Sequence, residues 1–339
     1  MNRITVRLKP DTTDEGRRAA LQGCATGVIR RAALKGCVTG VTHRSLKAGP
    51  FCDDTDKMLA APVSQPARRT LRLEAPRSWQ MLDLAELRDY RELLFFFVWR
   101  DVKVRYKQTV LGALWAVIQP LATTFFFALL FGRFGGMARQ VSGPYALHVF
   151  VGMMPWTFFT NAVVLASNSL VGSSHLITKV YFPRILIPAA AIASSLVDFA
   201  ISFLVLAIMM AIYGVAPTWR IVTMPLFVAG TVVAATGAGV LFAAMIVTYR
   251  DLRYVLTFVM QLWLFASPVL YTLDIIPAQY RLWYALNPIA GMIAGFRTSA
   301  LGGPFPLDVI AISTITTVVL IVVGVRYFLQ VERRFADVI

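Results

Sequence analysis

Polar and apolar positions divide this chain into a long mixed stretch, a short segment of dense charge and a succession of apolar runs. The charged segment, residues 82–107, reads "LDLAELRDYRELLFFFVWRDVKVRYK". It places Leu84, Leu87, Leu94, Val98 and Val102 at spacings of three, four and seven, with Arg88, Asp89, Arg91, Glu92 and Arg100 elsewhere on the wheel. That pattern predicts an amphipathic helix in the membrane interface, its apolar face down and its Arg and Lys stems reaching for headgroups. The charge then stops. Residues 110–132 carry none until Arg133, and their 23 positions make a helix of about 34 Å, enough for a hydrocarbon core of roughly 30 Å. Five more runs follow, at 145–167, 186–213, 221–248, 255–273 and 307–328. The expected fold is therefore all-α and polytopic, six transmembrane helices preceded by an interface helix. Pro155, Pro188, Pro225 and Pro268 mark kinks or ends of these runs.

Two stretches fit neither class. Between the fifth and sixth runs, residues 277–304 include "YRLWYALNPIAGMIAGF", too apolar for an ordinary loop and broken by Asn287–Pro288. It is expected to sit in the membrane interface or to dip into it, as two short helices backed by protein. Residues 1–70 have no long apolar run, and they repeat "RRAALQGCATGV" as "RRAALKGCVTGV" thirteen positions later. Two copies of so short a unit bury no core. The expectation is a disordered or non-native extension, the product of a start assigned upstream of Met58 or Met81; the rival is a basic arm on anionic lipid. No secretory h-region stands near the N-terminus. Residues 329–339 form a short C-terminal tail.

Composition agrees with a membrane protein: 57% of residues are hydrophobic, 15% are charged, and mean hydropathy is +0.65. The net charge of +15 is lopsided, because 21 of the 33 Lys and Arg precede Val110. A nucleic-acid face is not indicated, since these residues scatter through the tail or flank apolar runs. They instead set orientation. With the N-terminus cytoplasmic, thirteen Lys and Arg near the runs fall inside and five outside, so both termini are expected in the cytoplasm.

The chemistry of an enzyme is missing from the pattern. There is no GxxxxGK[ST] phosphate loop, no metal-ligand spacing and no nucleophile elbow. His43, His148 and His175 are isolated, and Cys24, Cys37 and Cys52 all lie in the tail. Asp198 is the only acid deep inside a run. Such a group is either a functional site or a partner for a polar neighbour at a helix or protomer contact. Gln119, Asn161, Asn168 and Gln261 are candidates for hydrogen bonds between helices. Aromatic residues cluster, among them Trp115, Phe125, Phe126, Trp156, Phe159 and Trp263, and either face lipid or line a pathway on which sugar rings stack.

In order along the chain, "LLFFFVWRDVKVRYKQTVLGALWAVIQPL", "LITKVYFPRILIP", "YRDLRYV", "FASPVLY" and "LNPIAGMIAGFRTSALGG" resemble the permease subunit of ABC-2 type exporters of polysaccharides and polyol phosphates, the O-antigen and teichoic acid export group. The resemblance covers residues 84–331. It implies a homodimer joined to two copies of a separate ATPase that holds ATP and Mg, with no cofactor on this chain. It also implies a polymer on an undecaprenyl lipid, moved outward across the bacterial inner membrane. By the same resemblance the loop 173–184 docks on the ATPase through His175, Lys179, Tyr181, Phe182 and Arg184. Trp99, Arg100, Lys103, Arg105, Tyr106 and Lys107 then lie along the route by which the lipid enters. Residues 277–304 become an external gate that uses Tyr280, Trp283, Tyr284, Asn287, Phe296 and Arg297. Arg297 is expected to face the mouth, to pair with Asp274 or Asp308, or to anchor to headgroups. The competing classes are a membrane-embedded glycan- or lipid-modifying enzyme, which requires clustered acids, His or a metal motif, and a secondary transporter, which requires several intramembrane charges.

Overall fold

The computed structural model describes residues 88–107, 112–141, 143–179, 182–332 and 335. The tail 1–70, Leu84, Leu87, Tyr181 and most of the C-terminal segment lie outside the described residues.

Helix α1, Arg91–Lys107, is followed by α2, Gly112–Phe127, which widens into a π-helical stretch, Ala128–Phe134. Next come α3, Tyr145–Gly172, the short α4, Ser174–Lys179, and α5, Leu186–Tyr213. A 3₁₀ turn, Trp219–Thr223, leads into α6, Met224–Thr248. The remaining helices are α7, Leu252–Phe265; α8, Ala278–Ala285; α9, Ala290–Leu301; and α10, Leu307–Glu332. No strand occurs among the described residues.

Five of these helices are long and apolar enough to cross a membrane: α2 with its extension, α3, α5, α6 with its leading turn, and α10. The fifth apolar run differs from expectation. Only 14 residues of it are helical, about 21 Å, and the chain then unwinds through residues 266–272. Hydropathy counts apolar residues whether or not they are coiled, so the run looked continuous. Pro268 lies inside the unwound stretch, whereas Pro188 and Pro225 open helices and Pro155 sits within α3.

Helix α3 is the centre of the bundle. Phe150, Phe159, Val163 and Leu170 along it are fully buried, wrapped by α5, α6 and α9. Helices α6 and α10 run parallel, and two glycines let their backbones approach. A Cβ on Gly237 would lie 2.8 Å from the Ile321 amide nitrogen, and one on Gly324 would run into the Gly237 carbonyl. Gly324→Val is expected to cost about 1–3 kcal/mol through overpacking. It should lower the thermal midpoint of the detergent-solubilised protein, and an unchanged midpoint would refute the close crossing.

The parallel pair defines two ends. At one end α1, the start of α5 and the ends of α6 and α10 share a core of Phe97, Phe182, Leu186, Val247 and Phe328. This end carries Lys179, Arg184, Arg250, Arg253 and Arg326, and is called the basic end. At the far end Phe227 stacks on Phe305, and Thr223 Oγ1 lies 2.7 Å from Ser299 Oγ. Because α6 finishes at the basic end and α10 begins at the far end, the chain returns once along the bundle between Thr248 and Leu307. It does so through α7 and the unwound stretch.

The turn between α8 and α9 then dips back inside. Thr317 Oγ1 donates to Pro288 O at 3.3 Å, and Ser313 Oγ lies within 3.0 Å of both Asn287 O and the Gly291 amide that donates to it. Thr317 is ten residues into α10, about 15 Å from its start, so the α8–α9 turn lies that far along the bundle.

Helix α1 packs Leu93, Leu94, Phe97 and Val98 on the basic end and turns Phe95, Phe96, Trp99 and Val104 outward. The run "LLFFFVW" covers the whole wheel, so the helix is apolar on two sides rather than one. Nor does it lie flat. Phe97 stands against Phe182, just before α5, while Arg105 and Tyr106 reach Asp198, twelve residues into α5 and about 18 Å along it.

Candidate functional site

Helix α5 is apolar on most of its length, so the carboxylate of Asp198 needs a partner brought from elsewhere. The climb of α1 supplies it. Arg105 donates from Nη1 to one carboxylate oxygen of Asp198 and the Tyr106 hydroxyl donates to the other, and both charged side chains are a little over a quarter exposed. The pairing spans 93 residues of sequence. It gives Asp198 partners at a helix contact, and that contact also forms part of a wall.

The wall borders a half-open cavity of about 940 Å³ between α1, α2, α3, α5 and α7. Trp115 and Trp156 contribute indole faces to it. Gln119, Asn161 and Gln261 contribute amides; Thr157, Thr160, Ser202 and Thr257 contribute hydroxyls. Among the described residues of the lining, Arg105 and Asp198 are the charged ones, and they offset each other. Amides read as helix-to-helix partners in the sequence thus face an open space instead. Such a surface offers neutral hydrogen bonds and flat apolar platforms, the combination that holds hydroxylated rings.

The other aromatic candidates are dispersed. Phe125 and Phe126 form an edge-on pair that faces outward, each more than half exposed. Phe159 lies in the core with its ring 6.0 Å from Trp263. Neither Phe159 nor Trp263 reaches the cavity lining.

At the basic end, His175 and Lys179 are exposed on α4, beyond the last turn of α3. Phe182 is not at the surface. It is buried edge-on against Phe97 at 5.6 Å, because an aromatic ring between two helix starts has more to gain from packing than from water. Arg184 is half-buried, donates to Glu332 O at 2.8 Å and stacks 5.8 Å from the Phe335 ring, which ties the start of α5 to the end of α10. Along α1, Trp99, Lys103 and Lys107 are exposed, and Arg100 pairs with Asp101 at 2.9 Å while lying over Phe97.

At the far end, Tyr280 and Trp283 are exposed and Tyr284 shares a 2.9 Å hydrogen bond with Tyr271. Two expectations for this segment need correction. Phe296 is fully buried against Phe199 and Phe203, so its ring fills the core and no opening. Arg297 neither faces a mouth nor pairs with Asp274 or Asp308. It is 8% exposed and donates to Val269 O at 2.7 Å and Tyr271 O at 3.2 Å. Its side chain leaves the inner face of α9, where unwound carbonyls are the nearest acceptors. Asp274 instead meets Arg281, at 3.6 Å.

The sequence reading passed over Tyr145 and Gly152, which also meet the unwound stretch. Their signal was the Ser267–Pro268 pair inside an apolar run. A backbone that cannot coil in the membrane needs donors from other helices.

A helical bundle of this length and apolarity, with an amide- and indole-lined cavity between its helices, is the architecture of a polytopic membrane protein. Its family is established by comparison: residues 92–301 match the ABC-2 type transporter family, and the chain belongs to it. It is 29% identical to an O-antigen export system permease protein RfbA of Klebsiella pneumoniae over 253 residues, 73% of this chain and 95% of that one. Over 214 residues it is 32% identical to the RfbA permease of Myxococcus xanthus, covering 62% of this chain and 81% of the relative. The polysialic acid transport protein KpsM of Escherichia coli is 25% identical over 211 residues, 60% and 79% of the two chains. The chain is thus a multi-pass membrane component of an ABC transporter, not an enzyme itself, and it works with a separate ATPase subunit.

Proposed function

We propose that this chain is the permease of an ATP-driven exporter that moves a lipid-linked polysaccharide outward across the inner membrane. The observation that carries the reading is the mid-depth cavity with its two indole faces and three amides, in a chain of this family whose relatives are permeases for O-antigen and polysialic acid. The lipid is of the undecaprenyl type, entering beside α1, where Trp99, Phe95 and Phe96 face outward next to Lys103 and Lys107.

Two copies assemble with two ATPase subunits, which hold ATP and Mg. Support for pairing comes from α2 and α7, whose Phe125, Tyr254, Phe258, Leu262 and Phe265 are all more than half exposed. The chain crosses six times with both termini cytoplasmic. Supporting this are the five long helices, the single return through α7, and the concentration of Lys and Arg at the basic end. His175 and Lys179 on α4 then face the ATPase, and Tyr280, Trp283 and Tyr284 line the exit.

Inverted vesicles holding the permease with its co-expressed ATPase should take up a lipid-linked glycan on addition of ATP, and Trp115→Ala with Trp156→Ala should reduce that uptake at unchanged protein level. ATP-independent uptake, or modification of the glycan without its transfer, would reject the exporter reading.

A further inference from the structure

A helix that stops inside a membrane leaves carbonyl groups that water cannot reach, and each must find a donor within the protein. In the fifth crossing this requirement is met almost entirely by side chains. The Tyr271 hydroxyl donates to Phe265 O at 2.9 Å, and Asn287 Nδ2 to Ala266 O at 3.3 Å and to Ser267 Oγ at 2.9 Å. Arg297 donates to Val269 O and Tyr271 O, and the Tyr145 hydroxyl donates to Leu270 O at 2.7 Å. Donors from α3, from the α8–α9 turn and from α9 thus converge on residues 266–271.

Arg297 is the centre of this set. Its guanidinium is buried, it spans two carbonyls two residues apart, and none of the described carboxylates lies on it. Space for it is built into α3. A Cβ on Gly152 would lie 2.6 Å from Val269 O and would also strike Arg297 Nη2, so glycine keeps the gap open through which donor meets acceptor. An arginine used only for solubility or for headgroup contact has no need of such a gap.

The clamped stretch has a cavity wall on one side and the α8–α9 pair on the other. Gln261 and Leu264, which line the cavity, lie five and two residues before the break begins at 266, while Tyr271 is bonded to Tyr284 on α8. We propose that Arg297 is a positioning residue for transport: it locks the unwound stretch 266–272 to α9 and α3, holding the far end of the path shut and making the α8–α9 pair move together with the cavity wall. The inference rests on the exporter reading only for the direction of passage. Leak and labelling report on the lock without any cargo, so its failure leaves that reading standing.

The test uses the full chain with its ATPase, Cys24, Cys37 and Cys52 replaced by serine, and Ser267→Cys as a reporter in the buried break. A membrane-impermeant maleimide is added from outside, and resting ion conductance is recorded in parallel. Arg297→Met keeps the length of the side chain and removes its donors. It should raise the labelling rate and the leak per molecule by about tenfold, the factor equivalent to ~1.4 kcal/mol of lost closing free energy. Arg297→Lys, which reaches one carbonyl, should restore part of the seal. Should Arg297→Met fail to reach the membrane, Gly152→Ala keeps the guanidinium and obstructs it, and must shift both readings in the same direction. Labelling and leak that stay at the parental level in whichever variant is inserted, whether or not its amount falls, would overturn the proposal.

Discussion

Asp198→Ala should destabilise the protein by about 2–4 kcal/mol, somewhat below the ~3–5 kcal/mol typical of breaking a fully buried ion pair, because the cavity leaves both partners partly exposed. The substitution removes the carboxylate that both Arg105 and Tyr106 hold, and leaves a guanidinium at mid-depth in the bundle. The double variant Arg105→Met with Asp198→Leu removes both charges and should recover most of the loss, since a paired charge in an apolar setting is expensive to assemble as well as to break. Thermal denaturation in detergent measures both effects. Export assays on the recovered double variant then ask a separate question. If the pair serves only to fasten α1 to α5, transport returns with stability; if it shapes the cavity wall for the cargo, transport stays impaired in a stable protein. An Asp198→Ala protein that melts like the parent would show that the pair carries no load.

Phe182→Ala is the second large effect, and its nature follows from burial. On the resemblance alone this residue belongs to an ATPase-docking surface. The ring instead fills the core at the basic end against Phe97. Truncation should cost about 3–5 kcal/mol through the cavity left behind, and reduce the amount of inserted protein. Lys179→Glu, on the exposed face of α4, should leave the thermal midpoint alone and weaken retention of the ATPase by about tenfold, the equivalent of ~1.4 kcal/mol. Co-purification and melting, measured on both variants, separate the two. A Phe182→Ala protein of parental stability that loses its ATPase would return Phe182 to the docking surface.

Much of the architecture was legible without a fold because it depends on sums along the chain. An apolar run of sufficient length has to become a helix in a bilayer, since no other local structure satisfies its backbone there. Helix α5 has the bounds read from the sequence, and α10 begins where its run begins. The break between α8 and α9 sits at Asn287–Pro288, as the turn chemistry of that pair predicts. The charge that ends abruptly before residue 110 marks the passage from α1 to α2.

What the tertiary structure alone decided concerns polar groups whose partners are far away in sequence. The rise of α1 along α5, the capture of Asp198 by Arg105 and Tyr106, the unwinding after Phe265 and the burial of Arg297 all belong here. Hydropathy scores Arg297 as an interface residue and residues 266–272 as part of a span, because each is judged on its own transfer to lipid. Inside the bundle the comparison is different. A guanidinium without a carboxylate and a backbone without a helix are each costly to bury, but together they satisfy one another, and only packing α3, α9 and the broken segment side by side brings them within hydrogen-bonding distance.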